Sequence, residues 1–198
     1  MTDGRASGML TLMPADEPLI LLLAEKSVLF GEFTLASGRR SDFYIDARLT
    51  TMSPEGLRLI GEEGRAALDR SGWNVDAVGG LTMGADPIAY AIAYSSATTP
   101  QPLRAFSVRK AAKEHGTGKR VEGPFRKGDV VAVIEDVITT GGSAVSAIEA
   151  IRQEGGTVAG VLALLDREDG GMARIEAMGV PALALARGSE VLAAARRR

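Results

Sequence analysis

Two rhythms of apolar and polar positions run along this chain. From Val75 onward, short apolar runs alternate with stretches of helical spacing: VDAVGG, a helix over Pro87 to Tyr94, PLRAFSV, VVAVIED, a helix from Ser143 to Glu154, VAGVLALLD and PALAL. Apolar strands separated by helices predict an α/β fold, a central, mostly parallel sheet covered by helices on both faces. In such sheets ligands lie beyond the carboxyl ends of the strands. The loops Gly80 to Asp86, Arg109 to Gly123, Glu135 to Gly142 and Asp166 to Gly170 are therefore expected to share one crevice.

The amino-terminal part is patterned differently. After an irregular start from Met1 to Pro14, Asp16 can cap a helix running to about Phe30, with Pro18 in its first turn and Gly31 after it. Phe33-Thr34-Leu35 and Phe43-Tyr44-Ile45 read as short strands around the turn-rich Ser37-Gly38-Arg39-Arg40-Ser41, a small subdomain. Ser53-Pro54-Glu55 supplies a cap, a first-turn proline and a first-turn acid for a helix ending near Ser71-Gly72. We expect one domain over residues 1–198, divided into an N-terminal segment to about residue 50 and an α/β core from about 51 to 198. The tail from Ala193 to Arg198 reads as frayed.

Composition narrows the chemistry. A chain of 198 residues with 45% hydrophobic and 24% charged content has the balance of one globular domain with a sizeable core. Its net charge of -2 supplies no global field for nucleic acid or an anionic membrane, so anion binding must come from a local cluster. With no cysteine, disulfides, thiolate metal sites and cysteine nucleophiles are excluded, and a reducing cytoplasm suits the chain. One histidine excludes a multi-histidine metal site. The run Leu19 to Ala24 is too short for a membrane span and follows acidic residues, so it reads as a buried helix.

Four segments carry candidate chemistry. Val130 to Ile134 is a buried strand, followed by Glu135 and Asp136 and then by Thr139-Thr140-Gly141-Gly142-Ser143 before a helix. Glycines let a backbone approach a ligand, hydroxyls donate, and the helix start offers N–H groups and a positive dipole end, which together make a phosphate cradle. Both the Walker lysine and the dinucleotide glycine pattern are missing, which argues against a nucleoside triphosphatase. Ionised carboxylates at Glu135 and Asp136 can accept from the two hydroxyls of a ribose; the alternative is an exposed acidic pair before a solvated loop. Arg109 to Arg120, with Lys110, Lys113 and His115, suits a lid over a polyanion, or else is a solvated basic loop. Gly79 to Pro87 is a second glycine-rich turn that can face an anion or can be an ordinary tight turn. At Asp166-Arg167 an ion pair is the default, yet a guanidinium in the crevice can read a carboxylate.

Together these segments resemble the type I phosphoribosyltransferases, whose signature is an apolar strand, two adjacent acids and a Thr/Gly-rich loop; here it reads VIEDVITTGGSA. Within that family FGEFTLASGRRSDFYID, GGLTMGADPIA and RKAAKEHG are similar to orotate phosphoribosyltransferase, and they span most of the chain. The resemblance implies the type I fold, with the N-terminal segment as a hood. It implies transfer of the phosphoribosyl group from 5-phosphoribosyl-1-pyrophosphate (PRPP) to orotate in pyrimidine synthesis, with Mg2+ carried on the diphosphate rather than in a protein metal site. Glu135 and Asp136 would hold the ribose; the stretch Val137, Ile138, Thr139, Thr140, Gly141, Gly142 and Ser143 would bind PRPP, with Thr139 to Ser143 on its 5-phosphate. Arg109, Lys113 and His115 would close over the diphosphate, with Lys110 reaching the neighbouring site of a homodimer. Thr139, Arg167, Tyr44 and Ile45 would contact orotate.

Two positions depart from that pattern, and both lack a cation: Ala36 and Met83 stand where a lysine often sits. We expect Arg109, Lys113 and the Leu81 to Ala85 turn to compensate. An enzyme of the same fold using a purine is disfavoured by Arg167 and the N-terminal segment. A non-catalytic sensor that binds nucleic acid is disfavoured by the retained lid cations and the near-neutral charge.

Overall fold

The computed structural model describes residues 17–34, 38, 40–111 and 119–198. Helix α1 (Glu17–Lys26) leads into β1 (Val28–Thr34), which pairs antiparallel with β2 (Arg40–Ile45); α2 (Arg48–Thr51) and α3 (Pro54–Ser71) follow. The rest runs β3 (Ala77–Leu81), α4 (Ala85–Ser96), β4 (Arg104–Val108), β5 (Val121–Glu122), β6 (Val130–Ile138), α5 (Gly142–Gln153), β7 (Thr157–Asp166), α6 (Gly171–Glu176), β8 (Ala182–Arg187) and α7 (Gly188–Arg196). The hairpin forms its own two-stranded sheet, and the others form a six-stranded sheet in the order β5-β4-β3-β6-β7-β8. Every pairing in the larger sheet is parallel except that of β5 with β4. The expected α/β class with helices on both faces is the one found.

Alternation along the strands sorts the core into two layers. Ile134, Leu162, Leu164 and Leu183 face the layer built with α1, α3, α4 and α7. Val131, Val133, Ala163 and Ala184 face α5 and α6. Ile134 is wholly buried, and burying such a side chain contributes roughly 1.5–3 kcal/mol. Long α3 begins and ends as its sequence suggests. Ser53 Oγ accepts from the Gly56 N–H at 3.1 Å, and Gly72 closes the helix at φ 71°, a conformation cheap only for glycine.

Several boundaries differ from expectation. The first helix stops at Lys26 instead of Phe30 because the next residues belong to the hairpin: Val28 pairs with Ile45, Ser27 C=O accepts from Asp46 N–H at 2.9 Å, and Ser27 Oγ meets Thr50 Oγ1 at 2.7 Å. The strand through VVAVIED runs on to Ile138, because β7 continues the ladder with Glu135 opposite Ala163 and Ile138 opposite Asp166. Glu135 to Ile138 are therefore strand, not loop. The carboxyl tail is not frayed over its first residues either: α7 reaches Arg196, buries Val191 and Ala194, and is tied by Arg196 to Asp42 and by Arg198 to Glu25. The helices α2 and α6 and the short β5 were not foreseen. Among the described residues no helix is long and apolar enough to cross a membrane.

Candidate active site

Chain order leaves β3 in opposite directions, outward to β4 on one side and back to β6 on the other. A crevice opens at that switch point, where α/β sheets hold ligands. It measures about 970 Å³ and is lined by the four predicted loop regions together with the end of β2. Tyr44, Ile45, Arg109, Lys110, Glu135, Asp136, Val137, Thr139, Ser143 and Arg167 all reach it. Lys113, His115 and Ala36 lie outside the described residues.

The cradle lies beside this crevice. A recess of about 260 Å³ is bounded by Glu135, Val137, Ile138 and the run from Thr139 to Ser143. Gly141 sits at φ 74° as the residue before α5, and without a side chain it leaves the first N–H groups of that helix uncapped. Those groups and the Thr139, Thr140 and Ser143 hydroxyls form an anion cradle. Ile138 contributes only main chain, since its side chain is buried against α5 and α6 and its carbonyl accepts from the Arg167 N–H at 2.8 Å. The loop is braced from α6, where Arg174 donates to the Thr140 carbonyl at 3.1 Å. No feature of the sequence marked Arg174 for that task.

The two acids are not equivalent. Glu135 is 6% exposed, and its Oε2 has no hydrogen-bond partner among the described residues. Burial, reinforced by the Asp136 carboxyl beside it, pushes its pKa up to about 9. In the free chain this burial favours the protonated form of Glu135 near neutral pH, in which it offers an O–H donor as well as acceptor capacity. Asp136 is more open, with Oδ1 accepting from the Val137 N–H at 2.8 Å. Gly84 makes room for it, because a Cβ there would fall 2.5–2.7 Å from the Asp136 carboxylate atoms. Gly79 and Gly80 serve packing rather than a ligand: a Cβ on either would collide with the carbonyl oxygens of Phe106 and Ile134 respectively.

The cations are placed by structure the sequence did not reveal. Arg167 lies over the Phe43 ring, 5.7 Å from its centroid, so the hairpin orients it. Arg109 reaches Glu122 on β5 at 3.5 Å. The base of the basic loop is closed by Arg109 N–H on the Arg120 carbonyl at 2.8 Å, and Arg120 ties it to α5 through Ser146 Oγ at 3.0 Å. Arg48 also lines the crevice, held by Asp46, whose carboxyl it keeps below the usual range. The Asp-x-Arg spacing after Tyr44-Ile45 was the one signal available for it.

A strand carrying paired acids near its carboxyl end, a Thr/Gly loop feeding an uncapped helix, and a hairpin whose Phe43 meets the crevice arginine define a phosphoribosyltransferase of the type I fold. No family model matches the chain. The orotate phosphoribosyltransferase of Corynebacterium glutamicum (strain R) is 48% identical over 122 residues, covering 62% of this chain and 64% of that protein. That of Aquifex aeolicus is 44% identical over 184 residues, covering 91% of this chain and 100% of that protein. Orotate phosphoribosyltransferase of Mycobacterium tuberculosis, solved with Fe(III) dicitrate, superposes with a TM-score of 0.78 at 39% identity, covering 88% of this chain and 97% of that one. The same enzyme has been solved with PRPP, at a TM-score of 0.74, 36% identity and coverage of 88% and 96%. This chain belongs to the orotate phosphoribosyltransferase family.

Proposed function

We propose that the chain transfers the 5-phosphoribosyl group of PRPP to orotate, giving orotidine 5-phosphate and pyrophosphate for pyrimidine (UMP) synthesis. The observation that carries this reading is the convergence of the α5 cradle, the Glu135–Asp136 pair and Arg167 on one crevice. The PRPP complex of the M. tuberculosis relative supports it. In this reading the cradle takes the 5-phosphate, and Asp136 accepts from a ribose hydroxyl. Glu135, whose buried Oε2 lacks a protein partner among the described residues, takes up another. Arg167 faces the orotate carboxylate, with Tyr44, Ile45 and Thr139 forming the rest of the base pocket.

In the reaction the bond from ribose C1 to the diphosphate oxygen breaks and the bond from orotate nitrogen to C1 forms. Positive charge builds on the sugar and negative charge on the leaving group. Arg109, Lys110, Lys113 and His115 are proposed to gather over the diphosphate and exclude water, so that donors already in place meet the developing charge. No protein nucleophile is needed. Among the described residues no cluster of three or more acids and histidines can hold a metal, and the more open Asp136 fits Mg2+ only if the substrate supplies most of its oxygen ligands. Mg2+ bound with the diphosphate would neutralise leaving-group charge.

The proposal extends to assembly and place. Leu49, Met52, Leu57, Tyr90 and Tyr94 are exposed, and a largely apolar groove of about 480 Å³ is lined by residues of α3 and α4, which supports a homodimer with Lys110 reaching the neighbouring site. Mixing Lys110→Ala with Asp136→Asn protein tests this: hybrid dimers should regain activity, and none would be regained if each site is self-contained. We further propose that residues to about 50 act as a hood on a single phosphoribosyltransferase domain, and that the enzyme works in the cytoplasm without nucleic-acid or membrane partners. The acceptor is tested with orotate, adenine, guanine, hypoxanthine and uracil in parallel, each with PRPP and Mg2+. Orotate alone should be consumed, and turnover of a purine instead would overturn the base assignment.

A further inference from the structure

Arg48 is a crevice cation to which the roles above give no task. It opens α2, and Asp46 grips it twice, Nε on Oδ1 and Nη2 on Oδ2, each at 2.8 Å. The same Oδ1 accepts from the Arg48 backbone N–H at 3.1 Å. This two-pronged contact fixes the plane of the guanidinium. It uses two N–H donors of the five an arginine carries, leaving the others for a ligand. The side chain is 54% exposed. A solvated pair two residues apart ties no distant elements together and contributes little to stability. The Asp46 carboxylate thus braces the first N–H of α2 and at the same time holds the guanidinium with donors to spare.

Its position supplies one. Arg48 lines the large crevice with Tyr44, Met83, Gly84 and Asp136, but takes no part in the α5 cradle. It also borders, with Met83, a shallow recess against α2. A ribose held by its hydroxyls at Asp136, with its 5-phosphate at α5, carries its C1 substituent at the opposite end of the ring. Outside the cradle the crevice is lined by Met83, which offers no charge, and by the cations Arg48, Arg109 and Lys110, of which Arg109 also contacts Glu122 at 3.5 Å. We propose that Arg48, aimed by Asp46, binds the 1-diphosphate of the phosphoribosyl donor. The assignment rests on the phosphoribosyl-transfer reading.

The test is calorimetric titration of the full chain and its Arg48→Gln variant with PRPP, inorganic diphosphate, ribose 5-phosphate and orotate, all with Mg2+. Arg48→Gln should lose about 10-fold to 100-fold in affinity for PRPP and for diphosphate, the size expected for hydrogen bonds to a charged group. Ribose 5-phosphate and orotate should bind within about twofold of wild type, since neither carries the group Arg48 is said to hold. Arg48→Lys, which keeps the charge without the fork, should recover part of the loss, and Asp46→Asn should show a smaller loss. Unchanged PRPP and diphosphate affinity in Arg48→Gln overturns the assignment, as does an equal loss for ribose 5-phosphate. A wild-type protein that binds diphosphate but no PRPP overturns the phosphoribosyl reading itself, which separates the two failures.

Discussion

Replacing Glu135 with glutamine isolates the cost of burying a carboxyl at the mouth of β6. Unperturbed, that carboxyl ionises near 4.5; in the fold its pKa is about 9. Between those values the native chain keeps a proton that the unfolded chain has released, so stability falls as pH rises through the window. The slope is at most about 1.4 kcal/mol per pH unit, or about 3 kcal/mol from pH 6 to pH 8. For a chain of this length that corresponds to roughly 6 to 12 °C in Tm. Glutamine matches the shape and cannot ionise, so the variant should lack this contribution. Thermal unfolding of both proteins at pH 6, 7 and 8 and constant ionic strength reads the difference. The wild-type Tm should drop relative to Glu135→Gln with each step. Parallel profiles would mean that Glu135 is already ionised in the fold, and the argument from burial would be wrong.

Three further outcomes follow from named contacts. Gly84→Ala places a methyl against the Asp136 carboxylate; it should raise the KM for PRPP roughly 10-fold to 100-fold while changing Tm little, measured by steady-state kinetics and unfolding of the same preparations. Arg167→Ala should raise the KM for orotate by about 10-fold or more and leave PRPP affinity in place, because it removes a cation facing the base rather than the diphosphate. Ser53→Ala removes the α3 cap and should cost about 1 kcal/mol in denaturant unfolding with unchanged kcat/KM, as α3 packs behind the sheet.

What the sequence displayed and what it concealed divide along physical lines. The order of strands and helices from Val75 was legible because buried parallel strands read as apolar runs between helical spacings. The caps of α3 were legible because Ser-Pro-Glu and Gly72 act locally. The end of α1 was not: Ser27 to Phe30 suits a helix as well as a strand, and the choice is made by pairing with Phe43 to Ile45 across the hairpin. Likewise Glu135 to Ile138 looked like loop because two acids open it and Thr139-Thr140-Gly141-Gly142 follows, whereas the β7 ladder holds it extended. The tail beyond Val191 is rich in alanine and arginine and reads as unanchored until α1 is placed beside it.

Within the site, the residues recognised from sequence were those carried by a contiguous string, Glu135 to Ser143, or by a charged loop. Arg48, Arg174 and Phe43 were missed, and the tie of Arg120 to Ser146 with them, because each works through a partner elsewhere in the fold or at short range: Asp46, the Thr140 carbonyl and Arg167 for the first three. The protonation of Glu135 was equally hidden. A carboxyl beside another in a string says nothing of which one the sheet buries.

Phosphoribosyl transfer to orotate in this crevice can be read from its two products. Its most direct measurement mixes purified protein with PRPP, orotate and Mg2+ and quantifies orotidine 5-phosphate and pyrophosphate together, with Asp136→Asn run alongside. The two products should appear in equal amounts with the wild-type protein, and the variant should be severely slowed. Pyrophosphate released without orotidine 5-phosphate, or full activity in Asp136→Asn, would contradict it.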